Sequence, residues 1–314
     1  MEPRFSLLPF RSHMFPLSRR AFVLFLLTAA HCIGSEVLQS TPATSAPAAL
    51  RVMTFNIRNS GARDGENHWS KRADLVHSTI REFNPDLLGL QEVLADQYDN
   101  LVQTFPEYAP AGVARDDGAR KGEWAAALYR KDRFELLATG NFWLSEAPER
   151  VGAPAWDAAC VRICTWTKLR DLSTKKEFLF ANTHFDHEGK TARLNSARLL
   201  RTQLAKLSGG APVILTGDFN STEENEPYKL LLSVPGDEQP NQKQLFDSYR
   251  LVHPNRTPSE ASFHEFKGTT AGLRIDWILH SKELKPLSAE IHQTNRDGRY
   301  SSDHYPVTAV LEWQ

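Results

Sequence analysis

The chain has 314 residues, of which 41% are hydrophobic and 24% charged, with a formal net charge of −1. That length and balance fit a globular soluble protein of one large domain or two ordinary ones. The first 34 residues hold four Arg and one Glu, so the chain without them stands at −4, which excludes the basic footprint of a protein that wraps long nucleic acid.

Residues 1–34 read as an export signal. Ser18-Arg19-Arg20-Ala21-Phe22 leads into an apolar run to Ala30, and Cys32, Gly34 and Ser35 offer a cleavage region. A basic start, a short apolar core and small residues make up a secretory signal. The arginine pair fits twin-arginine export, and ordinary Sec export as well. The run is short for a membrane span. The expected location is periplasmic or extracellular, with no stable membrane insertion after signal removal and a monomeric state. Residues 35–49, rich in Ser, Thr, Pro and Ala, form a linker. Residues 50–314 show no break or internal repeat and read as one domain.

The elements of that domain follow from periodicity. Residues 51–58 alternate as a first strand, and 59–68 form a polar loop. Trp69, Ala73, Val76, Ile80 and Phe83 fall at helical spacing and Asn84-Pro85 stops them, which predicts a helix over 69–83. Residues 86–93 make a short buried strand ending in acid, and 95–105 a second helix. Strands are expected at 108–113, 123–130, 134–144, 160–169 and 177–183, and a helix over 191–206. Val213-Ile214-Leu215-Thr216-Gly217-Asp218-Phe219-Asn220 reads as a buried strand that ends at a polar turn. Further strands are expected at 245–250, 274–280, 288–293 and 305–313. Helices flanking many strands predict a mixed two-sheet α/β or α+β sandwich. Cys160 and Cys164 lie four apart in a strand pattern, too far for a disulfide, and read as core thiols facing one side.

Strand ends carry the candidate chemistry. They are Thr54-Phe55-Asn56; Leu90-Gln91-Glu92; Asn182-Thr183-His184; Gly217-Asp218-Phe219-Asn220; and Ser302-Asp303-His304-Tyr305-Pro306. A sixth motif, Arg274-Ile275-Asp276-Trp277-Ile278, puts an acid in an apolar strand. Each has a structural reading of its own: Glu92 as an acid at a helix start, Asp276 paired with Arg274, His304 in a surface loop. A core does not need six polar groups at six strand ends, because burying them unpaired is costly. Together they suit hydrolysis of a phosphate ester. Glu92, with Asp303 or Asp218, offers the oxygen ligands Mg²⁺ prefers. Asp218 with Asn220 could orient a water, while His184, His304 and Asn56 could take up charge at phosphorus. Asp276 would fix the tautomer of His304.

These six motifs, in this order, resemble the endonuclease/exonuclease/phosphatase superfamily (DNase I-like) across residues 50–313. The resemblance implies a four-layer α/β sandwich with two packed β-sheets, and a phosphohydrolase using Mg²⁺ or Mn²⁺. It makes Glu92 the principal metal ligand, with Asn56 beside metal and phosphate and Asp303 supporting the metal or a second one. It makes Asp218 and Asn220 the water- and phosphate-orienting pair, with Asp276 pairing His304, and both His304 and His184 contacting phosphate. Phe142-Trp143-Leu144-Ser145-Glu146 and the stretch from Trp156 through Arg162 to Trp166 resemble an exported bacterial subgroup near the deadenylase/nocturnin-like branch, as do Asp186, His187 and Arg193. Arg162, Asp186 and His264 are candidate substrate contacts; Trp69 and Trp156 read as packing residues.

The expected substrate is a phosphate ester, a phosphodiester first, with the acidic chain arguing against a processive nuclease. A phosphomonoesterase, a nuclease of the same superfamily, and a catalytically inactive sandwich serving as a binding module are the alternatives. A serine hydrolase lacks its Gly-x-Ser-x-Gly elbow. The loops at 61–68, 114–122 and 146–157 are expected to decide which phosphate enters.

Overall fold

The computed structural model describes residues 49–153, 155–234 and 242–314. The expected export signal and all but the last residue of the linker lie outside them. Two six-stranded sheets pack face to face. The first takes β1 (Leu50–Asn56), β2 (Leu87–Val93), β3 (Tyr108–Ala111), β4 (Trp124–Arg130), β11 (Leu284–Ile291) and β12 (Val307–Trp313), in the order β11-β12-β1-β2-β4-β3. The second takes β5 (Phe134–Trp143), β6 (Ile163–Asp171), β7 (Glu177–His184), β8 (Val213–Asp218), β9 (Leu245–Asp247) and β10 (Asp276–Ser281), in the order β5-β6-β7-β8-β10-β9. Two parallel pairs, β1 with β2 and β7 with β8, sit centrally among antiparallel neighbours.

Alternation along each strand explains the layers. Val52, Leu87, Phe178, Phe180, Ile214 and Ile278 point inward and fill the space between the sheets. Met53, Phe55, Leu88 and Leu90 point outward, under Val76 and Ile80 of α1 (Ala73–Phe83) and Leu101 of α2 (Ala95–Thr104). On the other side Leu179, Ala181, Leu215 and Trp277 meet Leu200 and Leu204 of α3 (Lys190–Ser208) and Leu231 of α4 (Glu226–Leu232). Helices, sheet, sheet, helices is the four-layer sandwich expected from the motifs.

The same alternation aims the polar strand ends. Asn56 shares the inner face of β1 with Val52, His184 that of β7 with Phe180, and Asp218 that of β8 with Ile214. Asp276 opens β10 directly opposite Asp218. All reach the same end of the inter-sheet space, because parallel partners end together and β10 starts where β8 stops. Below them lies a buried polar layer. Gln91 Nε2 donates to Thr54 Oγ1 (3.0 Å) and Asn182 Oδ1 (2.7 Å). Asn182 Nδ2 donates to the carbonyls of Leu90 (2.8 Å) and Ala126 (2.9 Å), and Thr216 Oγ1 to Asn182 Oδ1 (3.0 Å). A buried network of this kind, with only Gln91 Oε1 left unpartnered among its side-chain atoms, fixes one register between packed layers.

Several expected elements are corrected. Residues 245–250 are not one strand: Asp247 accepts from the backbone N–H groups of Tyr249 and Arg250 and starts α5 (Ser248–Val252). Residues 69–71 form a separate 3₁₀ turn before α1, and the strand placed at 288–293 begins at Leu284. Arg274 precedes β10 and pairs with Glu223 and Asp247 rather than Asp276. Cys160 lies outside β6 and is half-buried, unlike the fully buried Cys164, so the two are not a pair of core thiols.

Candidate active site

Asp218 and His304 form the centre. His304 Nδ1 lies 2.9 Å from Asp276 Oδ2 and its Nε2 lies 3.7 Å from Asp218 Oδ2. All three residues are almost completely buried. Burial works against charge on His304, but Asp276 and Asp218 on either side of the ring raise its pKa to about 10. Burial also pushes the Asp218 carboxyl up to about 7, reinforced by Asp276 and opposed by His304. Asp218 Oδ1 accepts from the Asn220 backbone N–H at 2.9 Å and Oδ2 from Asn56 Nδ2 at 3.0 Å. Asn220, at φ 45°, has left the strand, and its Nδ2 lies 3.1 Å from His184 Nε2. The same Nε2 lies 3.4 Å from Asp218 Oδ2, so the amide and the carboxylate both face that nitrogen. Burial, then Arg162 and Arg115, hold His184 well below the ordinary imidazole range, so this ring is neutral.

Glu92 and Asp303 stand across from that centre. The β2–β4 ladder slips between Leu90 and Val93, and Glu92 takes φ 60°. A bulge re-aims one side chain without ending the strand, and here it turns Glu92 inward. Glu92 Oε1 accepts from Asn56 Nδ2 at 3.0 Å and Oε2 from Asn59 Nδ2 at 2.8 Å. Burial works to raise Glu92, yet the Asn56 hydrogen bond and the nearby His304 and Arg58 charges hold it low. Asp303 is raised by burial; its Oδ1 accepts from Ser302 Oγ at 3.1 Å, and Arg58 Nε stands 3.7 Å from Oδ2.

Two carboxylates beside an amide carbonyl are oxygen donors of the kind hard divalent cations select. Asn56 Oδ1 accepts only from the Arg58 backbone N–H at 3.0 Å, and Asp303 is raised by burial first and by the Glu92 charge as well. These residues fit a divalent cation. Asp218, Asp276 and His304 also bring ligand atoms within 4.8 Å of one another. There His304 Nδ1 is already engaged by Asp276, and the imidazolium that this pair favours is a donor rather than a metal ligand.

A cavity of about 550 Å³ opens over the two sides, lined by Glu92, Asp303, Asp218, Asn220, His184 and His304. Asn56 and Asp276 stand just behind. Thus all eight residues expected in the catalytic and metal sets come together. Arg162 lines the same cavity. Asp186 and His264 do not. Asp186 accepts the N–H groups of Ala159, Cys160, Glu188 and Gly189, which outweigh burial and bring its carboxyl to about 2. His264 stacks on Tyr305 at 3.8 Å, and burial lowers it to about 4. Trp69 is core, packed edge-on to His77.

Sequence reading missed Arg58, Arg115, Glu123, Phe263 and Phe266, all of which line the cavity. Arg58 had a usable signal, two residues beyond Asn56. The others sit in loops or at strand starts, with no periodicity to mark them.

The fold and the rim define a class, the DNase I-like phosphoesterases. The chain belongs to the Endonuclease/Exonuclease/phosphatase family, whose pattern matches residues 53–304. It is 37% identical to an endonuclease/exonuclease/phosphatase from Bacteroides vulgatus, with TM-score 0.78 and coverage of 85% of this chain and 99% of that one. It is 32% identical to a mannosyl-6-phosphatase from Bacteroides thetaiotaomicron, with TM-score 0.73 and coverage of 84% and 100%. Mouse nocturnin is 24% identical over 299 residues, and rat 2′,5′-phosphodiesterase 12 is 25% identical over 285. The matches take in 85% and 77% of this chain, but only 65% and 46% of those longer proteins.

Proposed function

We propose that the chain is a Mg²⁺-dependent phosphohydrolase, with Mn²⁺ able to substitute, that cleaves a small phosphate ester by in-line attack of water. The observation that carries this reading is the pairing, across one cavity, of the Asp218–His304–Asp276 relay with the Glu92–Asp303 carboxylates. In this reading Glu92 and Asp303 hold the cation, with Asn56 beside it. A bound cation would supply Lewis-acid charge to the phosphoryl oxygens.

The remaining work belongs to the side chains. Asp218, raised by burial to about 7, is suited to take a proton from the attacking water near neutral pH. Asn56 and the Asn220 N–H fix both of its oxygens. His304, kept charged by Asp276, donates to the phosphoryl oxygen where negative charge builds. Neutral His184 and the Asn220 amide orient water and phosphate.

We favour a phosphomonoester over the diester expected from sequence. The mannosyl-6-phosphatase likeness is stronger and covers that whole chain, whereas the diesterase likeness covers 46% of its protein. A cavity of about 550 Å³ also suits a small molecule. Sugar phosphates, bis-(p-nitrophenyl) phosphate, DNA and RNA should be assayed with Mg²⁺, with Mn²⁺ and with excess chelator. Hydrolysis of the sugar phosphates that stops in chelator and returns with metal is the expected result. Undiminished turnover in chelator would overturn the metal role, and no turnover of any phosphoester would leave the binding-module reading. Export and a monomeric state are part of the proposal; among the described residues no helix is long and apolar enough to cross a membrane.

A further inference from the structure

One wall of the cavity carries more cationic hydrogen-bonding capacity than the protein uses. Arg115 and Arg162 both line it, beside Glu123 and His184. Arg162 is 5% exposed. Its Nη2 lies 3.0 Å from His187 Nδ1, while Nε and Nη1 are buried without a hydrogen-bond partner. The nearest carboxylates to those atoms are Asp186 at 3.5 Å and Glu123 at 3.9 Å. Asp186 is already committed to four backbone N–H groups. Arg115 spends Nη1 on Glu123, and its Nε, 3.9 Å from Asp116 Oδ1, is likewise buried without a hydrogen-bond partner. His184 Nδ1 is a further buried nitrogen without a hydrogen-bond partner.

A guanidinium offers five donors, and leaving buried donors unmatched is costly. The void enclosed between Arg115, Glu123, Arg162 and His184 is only about 10 Å³, too small for more than one water. Of the two spaces that both arginines line, only the main cavity is large enough to admit an anion. His184 separates this wall from Asp218, since its Nε2 lies 3.4 Å from Asp218 Oδ2 while its Nδ1 belongs to the arginine side.

We infer that Arg115 and Arg162, buffered by Glu123, form a second anion subsite one imidazole away from the reacting phosphate, so that the preferred substrate is a small phosphate ester bearing a second anionic group. This rests on the phosphohydrolase reading for its first site. A planar fork of donors serves carboxylate and phosphoryl groups alike, and the test separates the two.

The test uses three matched acyclic ligands: sorbitol phosphate, phosphogluconate, which replaces the terminal alcohol by a carboxylate, and sorbitol bisphosphate. Calorimetry on the Asp218→Asn protein with Mg²⁺ reads binding without turnover. Phosphogluconate, sorbitol bisphosphate or both should bind at least tenfold more tightly than sorbitol phosphate, and whichever does names the group. Arg115→Gln and Arg162→Gln should each erase that ratio. Glu123→Gln, which removes the buffering charge, should increase it, so the sign of the effect stands even where one arginine variant fails to fold. Equal affinity for all three ligands would overturn the subsite. So would an equal loss for all three in the arginine variants, which would assign the arginines to the reacting phosphate. Wild-type turnover of the same ligands is scored separately. Binding with the predicted ratio but no hydrolysis refutes the phosphohydrolase reading and keeps the subsite; hydrolysis without the ratio does the reverse.

Discussion

Asp218 and His304 face each other at 3.7 Å with opposite tasks, and their protonation sets the pH range of the site. Asp218 must be anionic to accept a proton, so activity should fall as pH drops through about 7. His304 must be cationic to donate, so activity should fall again as pH rises through about 10. The profile of kcat/KM against pH should therefore be bell-shaped, and a flat profile across neutral pH would contradict the assignment. His304→Ala should lose about 10²- to 10⁴-fold in kcat with the fold unchanged by circular dichroism. Asp276→Asn should shift the alkaline limb downward, because it removes the carboxylate that holds the His304 charge. At this scale the sequence was most legible: six strand-end motifs located eight residues that the fold gathers at one rim. Asp186 and His264 lie outside the cavity lining because Asp186 is spent on backbone N–H groups, while the His264 ring stacks on Tyr305 and accepts the Gly268 N–H. Arg115 falls in the 114–122 loop expected to select the phosphate, but neither it nor Glu123 carries a periodic signal of its own.

The sandwich depends on how closely its central strands approach. A Cβ at Gly89 of β2 would meet Thr216 Oγ1 and come within 2.5 Å of Asn182 Oδ1, in the polar layer under the site. Gly89→Ala should destabilise the protein by about 1–3 kcal/mol, measured by denaturant unfolding; an unchanged midpoint would show that the sheets can separate at no cost. Arg274, buried between Glu223 and Asp247, ties the segment after Asn220 to the start of β10. Arg274→Met should cost about 3–5 kcal/mol, because it leaves Asp247 buried without its cation while Glu223 keeps Arg250. Most strands were legible because alternation follows directly from one-sided or two-sided burial. The segment at 245–250 was not, because Asp247 caps a short helix where the apolar pattern still looks extended. The bulge at Glu92 was equally hidden, as it depends on the β4 partner rather than on local sequence.

For the whole molecule, an acidic chain with a small cavity predicts selectivity for size. The chain without its first 34 residues stands at −4, and the cavity holds about 550 Å³. Small phosphate esters should be hydrolysed while duplex DNA is left intact at physiological salt, where a chain of net negative charge gains little from counterion release. The most direct test of the central claim is the rate of phosphate release from a sugar phosphate, with Mg²⁺ present, by the wild-type chain and by Asp218→Asn of matched thermal stability. Metal-dependent release by the wild type and a loss of at least about a hundredfold in kcat for the variant are the expected results. Equal rates for the two proteins would contradict the claim.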